Sequence, residues 1–207
     1  MQEAQLAHRS GIERLRKPVS FLIAAILFAL LVITRPANFE SVPYEILEQV
    51  GFLMVFVAVL GRIWCTLYIA GRKNRELCTQ GPYAVCRNPL YLFSFIGLVG
   101  ICCAAESLPL ALVSAAAYLL FYRGVIRGEE RRLADIFGAD FDRYVASTPQ
   151  FWPRLKIPRN AGVLHVDSHI FTSSLLEVIW FLVAINLVEI IEWVKIHQLF
   201  DGIVLPW

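Results

Sequence analysis

Glu129 is a carboxylate in the middle of an apolar pattern. Ile126, Leu133 and Ile136 recur around it at spacings of three or four residues, so in a helix all four share one face. A carboxylate on such a face loses its hydration, and this costs free energy unless a partner compensates for the loss. One interpretation is a local ion pair with Arg132, which contributes about 0.2–0.5 kcal/mol. The other is that Glu129 receives a cationic or hydroxyl-bearing ligand from the membrane side.

The segment GPYAVCRNPLY, residues 81–91, combines a turn with the start of a helix. Gly81 and Pro82 predict a turn. Asn88 precedes a proline and therefore avoids helical geometry, whereas Pro89 suits the first position of a helix. The N–H groups that follow have no acceptor within their helix, and such a positively polarised end suits a carboxylate or a ribose hydroxyl. A purely structural turn remains the alternative.

Arg62 lies inside the apolar run VAVLGRIWCTLYIAG, residues 57–71. An arginine at the centre of a membrane helix costs about 2.5–3.5 kcal/mol on insertion scales, so it usually faces a partner or a cavity. Glu129 is a candidate partner. The alternative is that the side chain extends along the helix to the cytoplasmic edge of the membrane.

The elements that position these residues are apolar helices. Apolar residues form 57% of the 207-residue chain and charged residues 17%, compared with about 45–50% and about 25% in soluble domains. A membrane-spanning helix needs about 20 apolar residues. The predicted fold is an all-α polytopic membrane protein with about five transmembrane helices, at residues 19–34, 50–71, 90–105, 107–122 and roughly 175–194.

The short third and fourth helices are separated only by Glu106 and form a predicted helical hairpin. The first apolar run follows a basic segment and has no small-residue cleavage site after it, so it is expected to be a retained helix. The five cysteines form no C-x-x-C pair and no histidine lies at metal-binding spacing. These spacings favour neither a zinc site nor a disulfide framework.

Basic residues alternate between the two sides of this layout. Four precede the first helix, four lie between the second and third, and eight follow the fourth, whereas the opposite side holds only Arg35 and Lys195. Lysine and arginine concentrate in cytoplasmic loops. The pattern therefore predicts five crossings, with the N-terminus and segment 81–91 in the cytoplasm.

Residues 123–158 are expected to form a cytoplasmic cap, an amphipathic helix that breaks at Gly138 and continues for one or two turns. The cap and the first four helices make up a predicted core of residues 1–160. Residues 161–207 form a predicted C-terminal extension with one further membrane helix.

Two motifs at a characteristic spacing point to a family. GPYAVCRNPLYL is followed about 40 residues later by EERRLADIFGADFDRYVASTPQFWPRL. Together they resemble the isoprenylcysteine carboxyl methyltransferase family of integral membrane enzymes, and more loosely the phospholipid methyltransferases. The family pattern is G-x-Y, R-H-P-x-Y, a short hairpin, then E-E-x-x-L-x-x-x-F-G-x-x-Y-x-x-Y and a proline. It is matched at Gly81, Tyr83, Arg87, Pro89, Tyr91, Glu129, Glu130, Leu133, Phe137, Gly138 and Tyr144, and GRIW at 61–64 is similar to the family's Arg-bearing helix.

The resemblance, which covers roughly residues 50–155, implies S-adenosylmethionine as methyl donor in a cytoplasmic pocket. Glu129 matches the family's cofactor-binding glutamate, which agrees with its position on an apolar face. Carried over by position, the implied cofactor-binding residues are Glu76, Leu77, Cys78, Tyr83, Arg87, Asn88, Pro89, Leu90, Tyr91, Glu129 and Glu130.

The family also uses an arginine shortly before that glutamate to orient the methyl acceptor. Val125 occupies the nearest position here, so Arg127 or Arg123 is expected to take this role, with Arg62 as a third catalytic candidate.

The chain departs from the family pattern at two positions. Asn88 stands where the family usually has a histidine, so a contact of that imidazole becomes an amide contact. Asp142 stands where the first tyrosine of the Y-x-x-Y pair often lies. Both departures concern the acceptor more than the cofactor.

The resulting prediction is methyl transfer from S-adenosylmethionine to an amphiphilic acceptor in the membrane, either a prenylcysteine-like carboxylate or a lipid. Such an in-line displacement depends mainly on positioning, and neither a metal nor a nucleic acid is expected as partner. The first alternative is a nicotinamide-dependent membrane reductase. The second is a small transporter or assembly protein that uses Arg62, Asn186 and Glu189. Asn186, Glu189 and Trp193 share a helical face that also suits packing or a homodimer through the C-terminal helix.

Overall fold

The computed structural model describes residues 11–36, 42–154, 163–164, 166–197 and 203–205. Within these ranges the chain forms seven helices and two strands of three residues each. In chain order they are α1 Gly11–Ile33, β1 Thr34–Pro36, α2 Val42–Ile69, α3 Pro82–Val85, α4 Pro89–Ala104, α5 Leu108–Phe137, α6 Ala139–Ser147, α7 Ser168–Ile196 and β2 Ile203–Leu205. The two strands pair in parallel, with Thr34 opposite Ile203.

The predicted all-α membrane fold is confirmed. Three helices, α2, α5 and α7, are long and apolar enough to cross a membrane, and the apolar parts of α1 and α4 are shorter. Many large apolar side chains on α2, α5 and α7 are exposed, for example Leu53, Leu120 and Trp180. Exposed apolar side chains on helices of this length suit contact with lipid. The protein is thus an integral membrane protein, and its orientation stays a prediction. Three of the basic residues behind that prediction, Arg9, Lys156 and Arg159, lie outside the described residues.

The fourth predicted helix, at 107–122, is much shorter than the helix in the structure. Helix α5 continues without interruption to Phe137, so the expected cap begins as the second half of a membrane helix. Its 30 residues correspond to about 45 Å. The apolar pattern fades after Tyr122, because the later turns carry charges, and hydropathy alone therefore ends the helix too early. The break predicted at Gly138 is confirmed: Gly138 has a φ of 51° and separates α5 from α6.

Helices α2 and α4 pack with their backbones in close contact. A Cβ atom added to Gly51 would lie 2.2 Å from the backbone nitrogen of Ala104, and one added to Gly100 would lie 2.8 Å from the Cβ of Met54. Small residues allow membrane helices to approach in this way. The pairing fixes the start of α4 next to the end of α2.

Helix α7 packs into the same core. Ile185 is buried against Val55 of α2 and Ala104 of α4, and Val188 joins a cluster that includes Leu27 of α1 and Cys102. Asn186 is exposed and its amide donates to the carbonyl of Leu182. The division into a core and an extension stays a prediction, since the boundary at residue 160 lies outside the described residues.

Candidate functional site

A pocket lies where α2 ends, α3 and α4 begin, and the last turns of α5 meet α6. The turn that leads into α3 requires glycine: Gly81 has a φ of 57°, and a Cβ there would lie 2.4 Å from the ring of Tyr68. The pocket is lined by Ile69, Lys73, Asn74, Glu76, Leu77, Cys78, Tyr83, Arg87, Asn88, Leu90, Tyr91, Glu129, Leu133 and Tyr144.

Glu129 is the most enclosed carboxylate of the lining, with 15% of its side chain exposed. Its Oε2 accepts a 2.7 Å hydrogen bond from the Tyr91 hydroxyl. Its Oε1 lies 2.9 Å from the Nζ of Lys73 and 3.6 Å from Arg132. The local pair with Arg132 therefore exists, but it is the longest of the three contacts. The carboxylate joins α5 to α4 and to the loop after α2.

Arg87 and Glu130 form a tie beside the pocket. The Nε of Arg87 lies 2.8 Å from Oε1 of Glu130, and both side chains are largely buried, at 11% and 15% exposed. Arg87 also donates to the carbonyls of Thr148 at 2.7 Å and Val145 at 3.2 Å. Glu130 accepts a further 2.7 Å bond from Gln150. The tie holds α6 and the chain after it against the start of α4.

Asn88, which replaces the family histidine, is part of the same network. It is 8% exposed. Its side-chain nitrogen donates to Glu130 and to the carbonyl of Gln150, both at 3.1 Å. At this position the amide contacts are therefore structural ones, made to the chain beyond α6. Leu90 follows in the first turn of α4, where an N–H has no acceptor four residues earlier in its own helix.

Tyr83 and Tyr144 form one wall of the pocket. The hydroxyl of Tyr144 donates to the carbonyl of Tyr83 at 2.6 Å. Burial raises the pKa of Tyr83 well above its usual value, with the thiols of Cys65 and Cys78 adding to the effect. Burial likewise raises the pKa of Tyr144. Both phenols therefore stay protonated at neutral pH, and the hydroxyl of Tyr144 is a donor in the bond just described.

Two buried polar atoms of the lining have no hydrogen-bond partner among the described residues: the Tyr83 hydroxyl and Oδ1 of Asn74. Asn74 is held in a left-handed conformation, with a φ of 61°. Buried polar groups are normally satisfied, and an unsatisfied one costs about 1–3 kcal/mol. A donor and an acceptor that both lack a partner in one pocket suit a ligand that carries hydroxyl or amino groups.

Nine of the eleven predicted cofactor-binding residues line this pocket. The other two, Pro89 and Glu130, are not part of its lining. Pro89 is the first residue of α4, and Glu130 turns toward Arg87. Five further lining residues were not among the predicted ones: Ile69, Lys73, Asn74, Leu133 and Tyr144. Tyr144 was noted only as part of the motif, and Leu133 only as part of the motif and as a neighbour of Glu129 on their shared face.

Cys78 and Cys86 are neutral thiols near the pocket. Burial raises the pKa of Cys78, whose Sγ donates to the carbonyl of Tyr68 at 3.3 Å. Burial also raises the pKa of Cys86 to about 11, and this side chain is fully enclosed. Neither thiol has the lowered pKa of a nucleophilic cysteine.

Arg62 pairs with a different carboxylate from the one expected. Glu129 as its partner is wrong: Arg62 lies 3.3 Å from Glu177 of α7 and also donates to Ser94 of α4. Its guanidinium lies 5.6 Å from the ring centre of Phe181. Its Nε is buried and has no partner within the described part of the chain. Arg62 lies where α2, α4 and α7 meet, and it is not one of the residues that line the pocket.

Arg123 and Arg127, the other two predicted acceptor-binding residues, are exposed on α5 and are not part of the pocket lining. They are four residues apart and share a face of the helix, whereas Glu129 lies on another. The cation that the structure places beside Glu129 from outside its own helix is Lys73. A role for Arg123 or Arg127 in binding the acceptor stays a prediction.

Comparison of the sequence with family models gives the class of protein that has these helices and this pocket. The chain belongs to the phospholipid methyltransferase family, whose model matches residues 46–140. The matched segment runs from α2 to the first residues of α6, and it contains every residue that lines the pocket except Tyr144. The resemblance found in the two motifs is thus confirmed at the level of this family.

Similarity to two curated proteins extends over most of the chain. The nickel-cobalt-cadmium resistance protein NccN of Alcaligenes xylosoxydans xylosoxydans is 39% identical over 192 residues, which cover 91% of this chain and 86% of that protein. The cobalt-zinc-cadmium resistance protein CzcN of Cupriavidus metallidurans is 39% identical over 176 residues, which cover 84% of this chain and 77% of that protein. No solved structure gives a significant match.

Proposed function

We propose that the protein is a membrane methyltransferase that takes its methyl group from S-adenosylmethionine. The observation that carries the proposal is the position of Glu129. This carboxylate is largely buried and lines a pocket assembled from both family motifs. It faces a protonated phenol and a cation rather than an apolar helix neighbour.

The pocket residues fit this donor. Glu129 offers acceptor oxygens to an ammonium or a hydroxyl group, the Tyr83 hydroxyl offers a donor, and Oδ1 of Asn74 offers a second acceptor. Ile69, Leu77 and Leu133 provide an apolar surface for a heterocyclic base. When bound, S-adenosylmethionine supplies a methyl group on a positively charged sulfur.

The chain itself contributes binding, orientation and exclusion of water. The tie between Arg87 and Glu130 keeps the chain after α6 beside the pocket, so that the lining stays assembled. Holding donor and acceptor in a productive geometry supplies much of the acceleration for such a transfer. A carboxylate acceptor is already ionised at neutral pH and needs no general base.

We propose Arg62 as the group that holds an anionic acceptor in the membrane. Its side chain is only 12% exposed, whereas the side chain of its partner Glu177 on α7 is 61% exposed. The buried Nε has no partner among the residues described, so one donor remains for a carboxylate or phosphate. A prenylcysteine-like carboxylate and a phospholipid both meet this requirement.

Labelling of the product tests the proposal. Membranes that contain the wild-type protein, Glu129→Gln or Asp135→Asn are incubated with S-adenosylmethionine labelled on its methyl group. Lipid and protein extracts are then analysed by mass spectrometry. We expect label in a lipid or lipidated fraction with the wild type and with Asp135→Asn, whose carboxylate is exposed on the same helix. Equal labelling with Glu129→Gln, or none with the wild type, would contradict the proposal.

We further infer that this methyl transfer serves resistance to transition-metal ions. The observation that favours this role is the similarity, over 84–91% of this chain, to proteins named for resistance to nickel, cobalt, zinc and cadmium. Cells that express the wild type are expected to tolerate cadmium or cobalt better than cells that express Glu129→Gln at the same level. Equal tolerance of the two strains would contradict a role of this pocket in metal resistance.

A further inference from the structure

Three glutamates converge at the end of the helices opposite the pocket. Glu48 lies near the start of α2, and Glu189 and Glu192 lie near the end of α7. One carboxylate oxygen of each lies within 4.8 Å of the others. Glu48 is 21 residues before the end of α2, which corresponds to about 30 Å of helix. The cluster is therefore separate from the candidate methyl-transfer site.

A fourth glutamate faces this cluster from a different element. Glu106 forms the turn between α4 and α5 and has a left-handed φ of 54°. It is 5% exposed, yet its carboxylate has no hydrogen bond or ion pair within the part of the chain that the structure describes. The charges that act on it most strongly are, in order, those of Glu192, Glu48 and Glu45. A buried carboxylate that faces other carboxylates and has no donor of its own points to a missing cation.

The described side chains at this end provide little positive charge. Lys195 interacts with Glu192, but its Nζ also donates to the carbonyl of Leu31 at 2.6 Å. Among the lysine and arginine side chains that the structure describes at this end, Lys195 alone accompanies the carboxylates of Glu45, Glu48, Glu106, Glu189 and Glu192. Like charges this close repel one another unless a proton or a metal ion is shared between them.

We propose that Glu48, Glu189, Glu192 and Glu106 bind one divalent metal ion at the membrane face opposite the pocket. Its ligands come from α2, from α7 and from the α4–α5 turn, so the ion would fasten these three elements together. All four ligands are carboxylates. Oxygen donors of this kind suit Mg²⁺, Ca²⁺ and Mn²⁺ better than thiolate-preferring ions. Cysteine and histidine spacing in the sequence did not predict this site, because all of its ligands are glutamates.

Binding of Mn²⁺ to the full-length protein in nanodiscs tests the site. Free Mn²⁺ is followed by its electron paramagnetic resonance signal, and one saturable site is expected, with a dissociation constant in roughly the micromolar to millimolar range. The double variant Glu48→Gln with Glu192→Gln should weaken this binding about tenfold or more. The control Asp140→Asn removes an exposed carboxylate of α6, at the other end of the molecule, and should leave binding unchanged. An excess of Ca²⁺ should displace the Mn²⁺.

Stability provides a second readout in case the double variant does not fold. Mn²⁺ should raise the thermal unfolding temperature of the wild type, and the single variant Glu106→Gln should reduce that increase. Non-saturable binding, or binding that the variants leave unchanged, would overturn the proposal. In that case the carboxylates would share protons instead. Neither readout depends on methyl transfer, so the two proposals fail independently.

Discussion

Glu129 and Lys73 set the charge of the pocket at the scale of single residues. The carboxylate is enclosed, whereas 48% of the lysine side chain is exposed, and the two lie 2.9 Å apart. A positively charged ligand must share Glu129 with this lysine. The pocket therefore balances attraction to the carboxylate against repulsion from the ammonium group.

Replacing Lys73 with glutamine should favour the charged donor over its uncharged product. S-adenosylmethionine carries a positive sulfur and S-adenosylhomocysteine does not. Loss of the lysine should therefore raise the affinity for the former relative to the latter by roughly two- to fivefold, as for a partly exposed ion pair. The measurement is competition binding of both ligands to purified protein.

The matched control for this prediction is Arg75→Gln, which removes an exposed cation of the same loop outside the pocket lining. It should leave the affinity ratio unchanged. An equal change in both variants would indicate an effect of net charge, and no change in Lys73→Gln would contradict the balance described above.

Glu129 was predictable from the sequence, whereas Lys73 and Asn74 were not. An acidic residue on an apolar helix face is visible in the residue pattern, and the family resemblance gives the same residue. Lys73 and Asn74 reach the pocket because the chain after α2 turns back through a left-handed residue. Local hydrogen bonds hold this turn, for example from the N–H groups of Arg75 and Glu76 to the carbonyl of Arg72. The polar sequence GRKN does not show which of its side chains enter the pocket.

At the scale of elements, the tie between Arg87 and Glu130 joins three parts of the chain. It connects the turn before α4, the second half of α5, and the residues that follow α6. An arginine presents several donors in one plane, so it can hold a carboxylate and carbonyl groups together, whereas lysine has a single charged nitrogen.

Substitution of Arg87 by lysine should therefore loosen the pocket although the charge is kept. The expected loss is about 1.5–3 kcal/mol in the free energy of unfolding, as for hydrogen bonds of a buried charged group. Weaker binding of S-adenosylhomocysteine should accompany it. Unfolding in detergent and calorimetry measure the two effects.

Arg143→Lys is the control for that experiment, because Arg143 pairs with Asp140 on the exposed side of α6. This variant should unfold and bind as the wild type does. If both variants behaved like the wild type, the tie would have no part in holding the pocket.

The elements were predictable where local signals mark them. Pro89 starts α4 and Gly138 ends α5, as expected from backbone geometry. The length of α5 was not predictable from hydropathy, because its last turns carry Glu129, Glu130 and the arginines beside them. These turns are helical because they pack against α4 and the chain after α6.

At the scale of the whole molecule, the two ends of the helices have different chemistry. Among the residues that the structure describes, one end has the pocket and most of the basic loop residues, and the other has the glutamate cluster. Arg62 pairs with Glu177, which is 115 residues away in the chain. The partner of either residue therefore depends on how α7 packs against α2. No local pattern connects residues so far apart in sequence.

The distribution of basic residues predicts which end faces the cytoplasm. Arg143→Cys places a thiol on the exposed side of α6, and Glu45→Cys places one near the start of α2, at the other end. A membrane-impermeant maleimide should label the first only in inside-out vesicles and the second only in right-side-out vesicles. Reversed labelling would contradict the predicted orientation, and labelling of both from one side would contradict the helix arrangement.

The most direct test of the central claim is the affinity of the purified protein for S-adenosylhomocysteine, measured by calorimetry in wild type, Glu129→Gln and Asp135→Asn. Loss of a buried, charge-assisted hydrogen bond should weaken binding to Glu129→Gln by about 1–3 kcal/mol, or roughly five- to 150-fold. Asp135→Asn should bind as the wild type does. Unchanged affinity in Glu129→Gln, or binding of NADPH in place of S-adenosylhomocysteine, would contradict the assignment of this pocket to a methyl donor.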